Sequence, residues 1–295
     1  MASLKEVKAR IASVTSTQKI TGAMKMVSSA KLKKAERAIT SIAPYQNKLN
    51  EILSSFLATE TDFKSSFSEV RTVKKLAIVV FSSNSSLCGA FNSNVAKQLS
   101  AVIKENSSIG LENIEVYPIG QKIFAAASKM NVKIAGNFRD IADKPNFEGS
   151  AVVTNKLMEK FTNKEYDKVI VIYHHLKSTS SQKLTTETFL PVSLEDKENV
   201  SDNGSKKFSA DYIVEPSKIS ILDDLIPKAL KTKIYACLLD SIASEHAARV
   251  VAMQTANDNA QSLINDLTVL YNKTRQGAIT SELLDIVGGA AALDN

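Results

Sequence analysis

Cysteine is almost absent. Cys88 and Cys237 are the only two in 295 residues, far apart and each in an apolar setting. No disulfide framework is expected from them, and a reducing compartment suits the chain. Long hydrophobic runs are missing as well. Nothing approaches about eighteen consecutive apolar residues, so no transmembrane helix is expected. The opening MASLKEVKARIASVTSTQK lacks the apolar block of a secretory signal. A transit peptide shares its basic, acid-poor character and stays open, but the segment already carries a helical period and is read as mature structure.

Catalytic and cofactor signatures are also lacking. Gly89 stands alone in a strand–helix loop, with neither GxGxxG nor GxxxxGK(S/T) around it. Such a loop can bind an anion at a helix N-terminus, yet a tight structural turn is the plainer reading. His174 and His175 have no cysteine or ligand-spaced histidine nearby, so a surface pair is expected rather than a metal site. His246, beside Glu245, reads as a polar-face residue of a helix. There is no GxSxG, HExxH or CxxC. No catalytic residue, cofactor or metal ligand is assigned.

Proline and glycine are absent from 228 to 276, and that absence organises the chain. Pro227 sits where a first helical turn tolerates one. Apolar residues recur at Ala236, Leu239, Ala243, Ala247, Val250, Met253, Ala256, Ala260, Leu263, Leu267 and Leu270. The ten steps from 236 to 270 average 3.4 residues, close to the 3.5 repeat of a left-handed coiled coil. At 1.5 Å per residue the run spans roughly 70 Å. A globule of this chain length is only about 50 Å across. The helix is therefore expected to project.

The N-terminus offers a partner. Leu4, Val7, Ile11 and Val14 begin a second series, which resumes at Met24, Val27 and Ala30 and again from Ala38 to Phe56. Gly22 weakens it modestly, and Pro44 is expected to bend it. Antiparallel pairing from a shared base predicts Leu4 near Leu270 and Met24 opposite Val250, with about twenty C-terminal residues left over. From Val250 to Leu270 the only charges are Asp258 and Asp266, and the rest of the polar face is amide and hydroxyl. A solvated coiled coil usually carries Lys/Glu pairs at its flanks. An ordinary helix that happens to use amides is one reading; a rod enclosed by other proteins is the one favoured here.

The net charge of +6 is concentrated at one end. Residues 1–37 hold nine Lys/Arg against Glu6 and Glu36, a net of +7. Nucleic acid is one partner for such a patch, but no aromatic precedes Tyr45, so bases have no stacking platform there. An acidic protein surface fits equally well.

Between the two helices the pattern changes. Residues 58–72 read as a linker. Strands are expected at 75–81, 114–119, 132–135 and 168–174, with an edge strand at 183–190. Helices are expected at 94–105, 121–129 and 150–161, and 195–209 reads as a polar connection. Alternation of this kind argues for a mostly parallel α/β sheet. The fold class expected is α/β plus a long antiparallel coiled coil, with the terminal helices forming the shaft. The units are 1–57, an N-terminal coiled-coil helix; 73–209, a central Rossmann-like α/β domain without a nucleotide-binding fingerprint; and 210–295, a C-terminal coiled-coil helix.

Four segments carry a resemblance: IASVTSTQKITGAMKMVSSAKLKKA at 11–35, SLCGAFN at 86–92, ASEHAARVVAMQTANDNA at 243–260 and YNKTRQGAITSELLDIVGGAAAL at 271–293. Over essentially its whole length the chain resembles the gamma subunit of F-type ATP synthases, and Ile279, Thr280, Glu282, Asp285, Gly289 and Ala290 match that family's C-terminal signature. It departs at 83–89, SNSSLCG where the family usually has SDRGLCG, at Gly22 where lysine is common, and at Lys25 where some members have an acid. No cysteine-bearing insert like that of chloroplast members is present, so thiol regulation is not expected.

The resemblance implies a non-catalytic rotor. A curved coiled coil would turn inside a hexamer of alternating alpha and beta subunits, coupling rotation of a membrane c-ring to conformational change in catalytic beta subunits. It implies beta-subunit contacts at Met24, Lys25, Arg249, Arg275, Gln276, Thr280 and Glu282, and an epsilon- and c-ring-facing turn at Tyr212 and Glu215. The implied place is the cytoplasmic face of a bacterial inner membrane, as a peripheral subunit without membrane insertion. Two other classes compete. A basic coiled-coil adapter for nucleic acid predicts DNA affinity falling steeply with salt. An α/β enzyme with an appended helical hairpin predicts ligand binding by its central domain.

Overall fold

The computed structural model describes residues 3–59, 66–192, 215 and 218–293. Its elements in chain order are α1 (Leu4–Thr59), β1 (Leu76–Phe81), α2 (Phe91–Glu105), β2 (Ile114–Ile119), α3 (Gln121–Ala127), β3 (Lys133–Ile134), α4 (Arg139–Asp143), α5 (Phe147–Thr162), β4 (Lys168–Ser178), β5 (Ser181–Leu190) and α6 (Lys218–Leu293). They fall into two compact units, Ser29–Ala248 and the pair Met1–Ser28 with Arg249–Asn295.

The Ser29–Ala248 unit is built on a five-stranded sheet of order β3-β2-β1-β4-β5. β1 pairs in parallel with β2 and β4, β2 in parallel with β3, and β5 runs antiparallel along β4 at the edge. Every residue of β1 and β2 is buried. That is why β1 reads as an unbroken apolar run and β2 as one broken only by Glu115 and Pro118: a parallel strand covered on both faces has no solvent side to alternate with. On one face Leu76, Ile78, Val80, Ile114 and Val116 pack under Val95 and Leu99 of α2 and Ile123 of α3. On the other, Ala77, Val79, Phe81 and Ile119 pack under Val153, Leu157 and Phe161 of α5 and Ile226, Leu230 and Ile234 of α6. Glu115, the one carboxylate buried in β2, is satisfied by the Tyr166 hydroxyl and by Lys160 Nζ at 3.2 Å.

The expected strands are all present, and the antiparallel edge strand is where 183–190 predicted it. Three differences are instructive. α6 begins at Lys218, so Pro227 lies inside the helix rather than in its first turn. An interior proline removes one i→i−4 bond and strains the turn before it, at about 3 kcal/mol. Leu222, Ile226, Leu230 and Ile234 recur every four residues and are all buried. Four such burials at about 1.5–3 kcal/mol each outweigh the proline. Likewise α1 continues through Pro44 to Thr59. The third is the short helix α4, which has no apolar period to announce it. The polar connection expected at 195–209 lies outside the described residues.

Gly120 closes β2 onto α3 with φ 112°, and a Cβ there would meet the carbonyl oxygen of Ser82 at 2.3 Å. This region of backbone is essentially glycine's alone. Gly120→Ala is therefore expected to destabilise the chain by about 1–3 kcal/mol or more in urea unfolding; an unchanged midpoint would show that the turn relaxes freely.

Candidate functional site

The site begins with how two helices hold each other. In the unit formed by Met1–Ser28 and Arg249–Asn295, the α1 segment opens on a capping box: Ser3 N–H donates to Glu6 Oε2 at 2.9 Å and Glu6 N–H to Ser3 Oγ at 3.3 Å. The signal was in the sequence, SLKE at 3–6. Met253, Ala260 and Leu267 of α6 are buried at intervals of seven, with Val7 buried on α1, a heptad seam.

Polar rungs lie one residue along from that seam. Gln18 Nε2 donates to Gln261 Oε1 at 2.8 Å, and Lys25 Nζ donates to Gln254 Oε1. Gln18 and Lys25 are themselves seven apart, as are Gln254 and Gln261. Each side chain is braced from behind: Gln254 Nε2 donates to Asp258 Oδ1 at 2.7 Å, and Gln261 Nε2 to Asn265 Oδ1 at 3.1 Å. A Cβ on Gly22 would lie 3.7 Å from Asn257 Oδ1. Opposed residue numbers 18 with 261, 22 with 257 and 25 with 254 each total 279.

That register corrects the expected one. By the same total Met24 lies opposite Thr255, not Val250, and Leu4 opposite Arg275, not Leu270. Helix ends alone do not fix a register; the interlocking of polar rungs does. It also changes the role of the amide face. Part of it reaches across to α1 as rungs, while Leu263 and Leu270, expected in the seam, are 40% and 44% exposed.

Beyond Arg275 this register leaves no residue of α1 opposite α6. Residues 275–290 are all exposed, among them Ile279, Leu283, Leu284, Ile286 and Val287. At 100° per residue, Ile286, Ile279, Leu283 and Val287 follow one another within about 100° of arc. Asp285 lies on the other side, and Glu282 borders the arc about 40° from Ile286. This is an amphipathic helix end with its apolar side bare.

The candidate residues divide accordingly. Arg275, Gln276, Thr280 and Glu282 lie together on that exposed end, where Thr280 Oγ1 donates to the Gln276 carbonyl at 2.9 Å. Met24 and Lys25 are half-buried, and Arg249 is 7% exposed. Lys5, Lys8, Arg10 and Lys19 stand exposed on α1. In the other unit, Lys31, Lys33, Lys34 and Arg37 are exposed too. Among the described residues none of these eight makes an ion pair. Glu215 is exposed at a bend, and Tyr212 lies outside the described residues.

In open α/β sheets ligands favour the carboxyl ends of the strands. Here that edge is occupied by the chain itself. Asn84 Oδ1 accepts the Gln121 N–H at 2.8 Å and Ser82 Oγ the Ile123 N–H at 3.0 Å, which engages amides at the start of α3. Ser83 Oγ donates to Asn92 Oδ1 at 3.0 Å, fastening the loop before α2. Gly89 has φ 60° and Leu87 φ 68°, so Gly89 serves a tight turn, as expected. The donors a phosphate would use on α3 are spent on side chains of the loop.

His174 departs from expectation. It is not half of a surface pair: it is 3% exposed and stacks on Phe91 with ring centroids 4.3 Å apart. Only His175 reaches the surface. Alternation in β4 sends the two rings to opposite faces, a signal that the paired spelling concealed. Burial pushes the His174 pKa down to about 4. Its folded value is thus below the unfolded value of 6.5, the unfolded chain takes up the proton first, and stability falls as pH drops from about 6.5 to 4. The gap corresponds to about 3 kcal/mol. Denaturant titrations at pH 7 and pH 4.5 are expected to show this acid loss in the native chain and a smaller one in His174→Gln; equal losses would mean that the ring is hydrated.

Residues 3–293 match the protein-family model described as ATP synthase. The chain is 51% identical over 292 residues to the ATP synthase gamma chain of Phocaeicola vulgatus, covering 99% of this chain and 100% of that one. It is 52% identical to that of Bacteroides fragilis over the same span, and 46% identical, end to end, to that of Flavobacterium johnsoniae. Among solved structures it is similar in fold to a chain of the rotor of the Euglena gracilis mitochondrial ATP synthase, with a TM-score of 0.66, 19% identity and coverage of 94% and 98%.

Proposed function

The chain belongs to the ATP synthase gamma-chain family, and on that premise we propose that it is the central-stalk rotor of an F-type ATP synthase. It couples rotation of a membrane c-ring to conformational change in the catalytic beta subunits, and does no chemistry itself. The observation that carries the reading is the bare end of α6, where apolar side chains from Ile279 to Val287 stand 49–68% exposed. Each would release about 1.5–3 kcal/mol on burial, so the end calls for an apolar sleeve supplied by other subunits. Filled donors at the sheet's carboxyl edge support a non-catalytic role.

The partners we assign are alpha and beta subunits around the helix pair, and the epsilon subunit and c-ring at the turn near Tyr212 and Glu215. Arg275, Gln276, Thr280 and Glu282 contact beta directly. Met24 and Lys25 contribute through the edges that the pairing leaves uncovered, and Arg249, covered in the free chain, makes its contact on assembly. The unpaired cations of α1 fit an acidic segment of beta. No described helix is long and apolar enough to cross a membrane, which supports a peripheral subunit. We place it on the cytoplasmic face of a bacterial inner membrane.

Gentle detergent extraction of membranes tests the reading. Alpha and beta subunits are expected to co-purify in molar excess over this chain; recovery without them, or with nucleic acid released by salt, would overturn it. Within the complex, Arg275→Ala with Gln276→Ala is expected to leave the isolated chain's unfolding curve unchanged and to weaken coupled ATP synthesis. Removing one side of a desolvated charged contact costs about 2–5 kcal/mol. Wild-type synthesis by that variant would remove these two residues from the contact.

A further inference from the structure

β4 and the edge strand β5 run on past the parallel part of the sheet. Pairing between β1 and β4 stops at Ile172, whereas β4 continues to Ser178, held from there by β5 alone. This extension forms an arm, and the arm grips helices. Leu176 packs among Leu32 and Ala35 of α1 and Ala243 and Ala247 of α6. Beside it, Asp240 Oδ1 accepts the Leu176 N–H at 3.2 Å, and Asp240 Oδ2 meets His175 Nδ1 at 2.5 Å. Four residues on, the fully buried Ser244 donates its hydroxyl to the His174 carbonyl at 3.2 Å. Lower down, Lys233 pairs with Glu187 of β5 at 3.3 Å. At 100° per residue, positions 233, 240 and 244 fall within about 40° of one line along α6.

Two kinds of contact are combined here. Burial of Ile226, Leu230 and Ile234 holds α6 against the sheet, but apolar burial is non-directional, and packed helices can shift past a neighbour by a turn. The bonds from Asp240 and Ser244 end on named backbone atoms of β4, so they fix both the height and the rotation of α6 against the sheet. Alanines around Leu176 leave room for one branched side chain between the helices.

We propose that the β4–β5 arm is the torque key of this subunit. Leu176 is its tooth, Asp240 and Ser244 are its latches, and together they make the sheet and both helices turn as one body. The proposal rests on the rotor reading; these are positioning residues that touch no nucleotide. The test uses the assembled synthase in vesicles, reading ATP hydrolysis and ATP-driven ion uptake together. Leu176→Ala with Asp240→Ala is expected to keep hydrolysis and to lose most of the ions moved per ATP. Asp240→Asn retains an acceptor for the Leu176 N–H and is expected to lose less. General destabilisation would lower hydrolysis and uptake together and leave their ratio unchanged. An unchanged ratio in both variants overturns the proposal; if the double variant does not assemble, the ratio in Asp240→Asn decides alone. A wild-type complex that hydrolyses ATP without moving ions would sink the rotor reading instead.

Discussion

An amphipathic helix of 76 residues cannot bury its own apolar side. Isolated helices gain little in water without packing, so α6 depends at every turn on what lies beside it. From Leu222 to Ile234 it is the sheet, and from Met253 to Leu267 it is α1. Past Arg275 none of the described residues covers it. The register that pairs 18 with 261 and 25 with 254 decides where cover ends, and hence how much of the helix's apolar side stays bare.

The polar residues make that register specific. A purely apolar seam of alanine, leucine and methionine would tolerate slips of a heptad, whereas a polar rung out of place leaves amides unmatched. Gln18–Gln261 and Lys25–Gln254 achieve this with a single full charge between them. The sheet unit solves the matching problem differently. Asn84 and Ser82 close the ends where ligands of such folds sit, and the arm beyond Ile172 grips helices rather than a substrate.

Much of this was legible in the sequence because the underlying periods are strong. Unbroken runs such as LAIVVF at 76–81 fixed the sheet, and the heptad-like spacing after Ala236 fixed the long helix. What escaped depended on tertiary context. Pro227 looked like a helix start because its cost is local, while the burial of Leu222 and Ile226 that offsets it is not. Register escaped because spacing alone cannot say which polar side chains meet across a pair. His174 escaped because strand alternation, rather than adjacency, decides which ring is buried. Of the candidate contacts, Arg275, Gln276, Thr280 and Glu282 do share one exposed stretch, whereas Arg249 is covered in the free chain, and no period distinguishes it from its neighbours.

Hydrogen exchange along α6 tests the central claim most directly, comparing the free chain with the assembled complex. Amides of 276–290 are expected to exchange orders of magnitude faster than those of 250–270 in the free chain, because their apolar side is bare, and to become protected on assembly. Equal and strong protection of both stretches in the free chain would contradict the account. So would unprotected 276–290 amides in the complex, since the end of α6 would then need no sleeve.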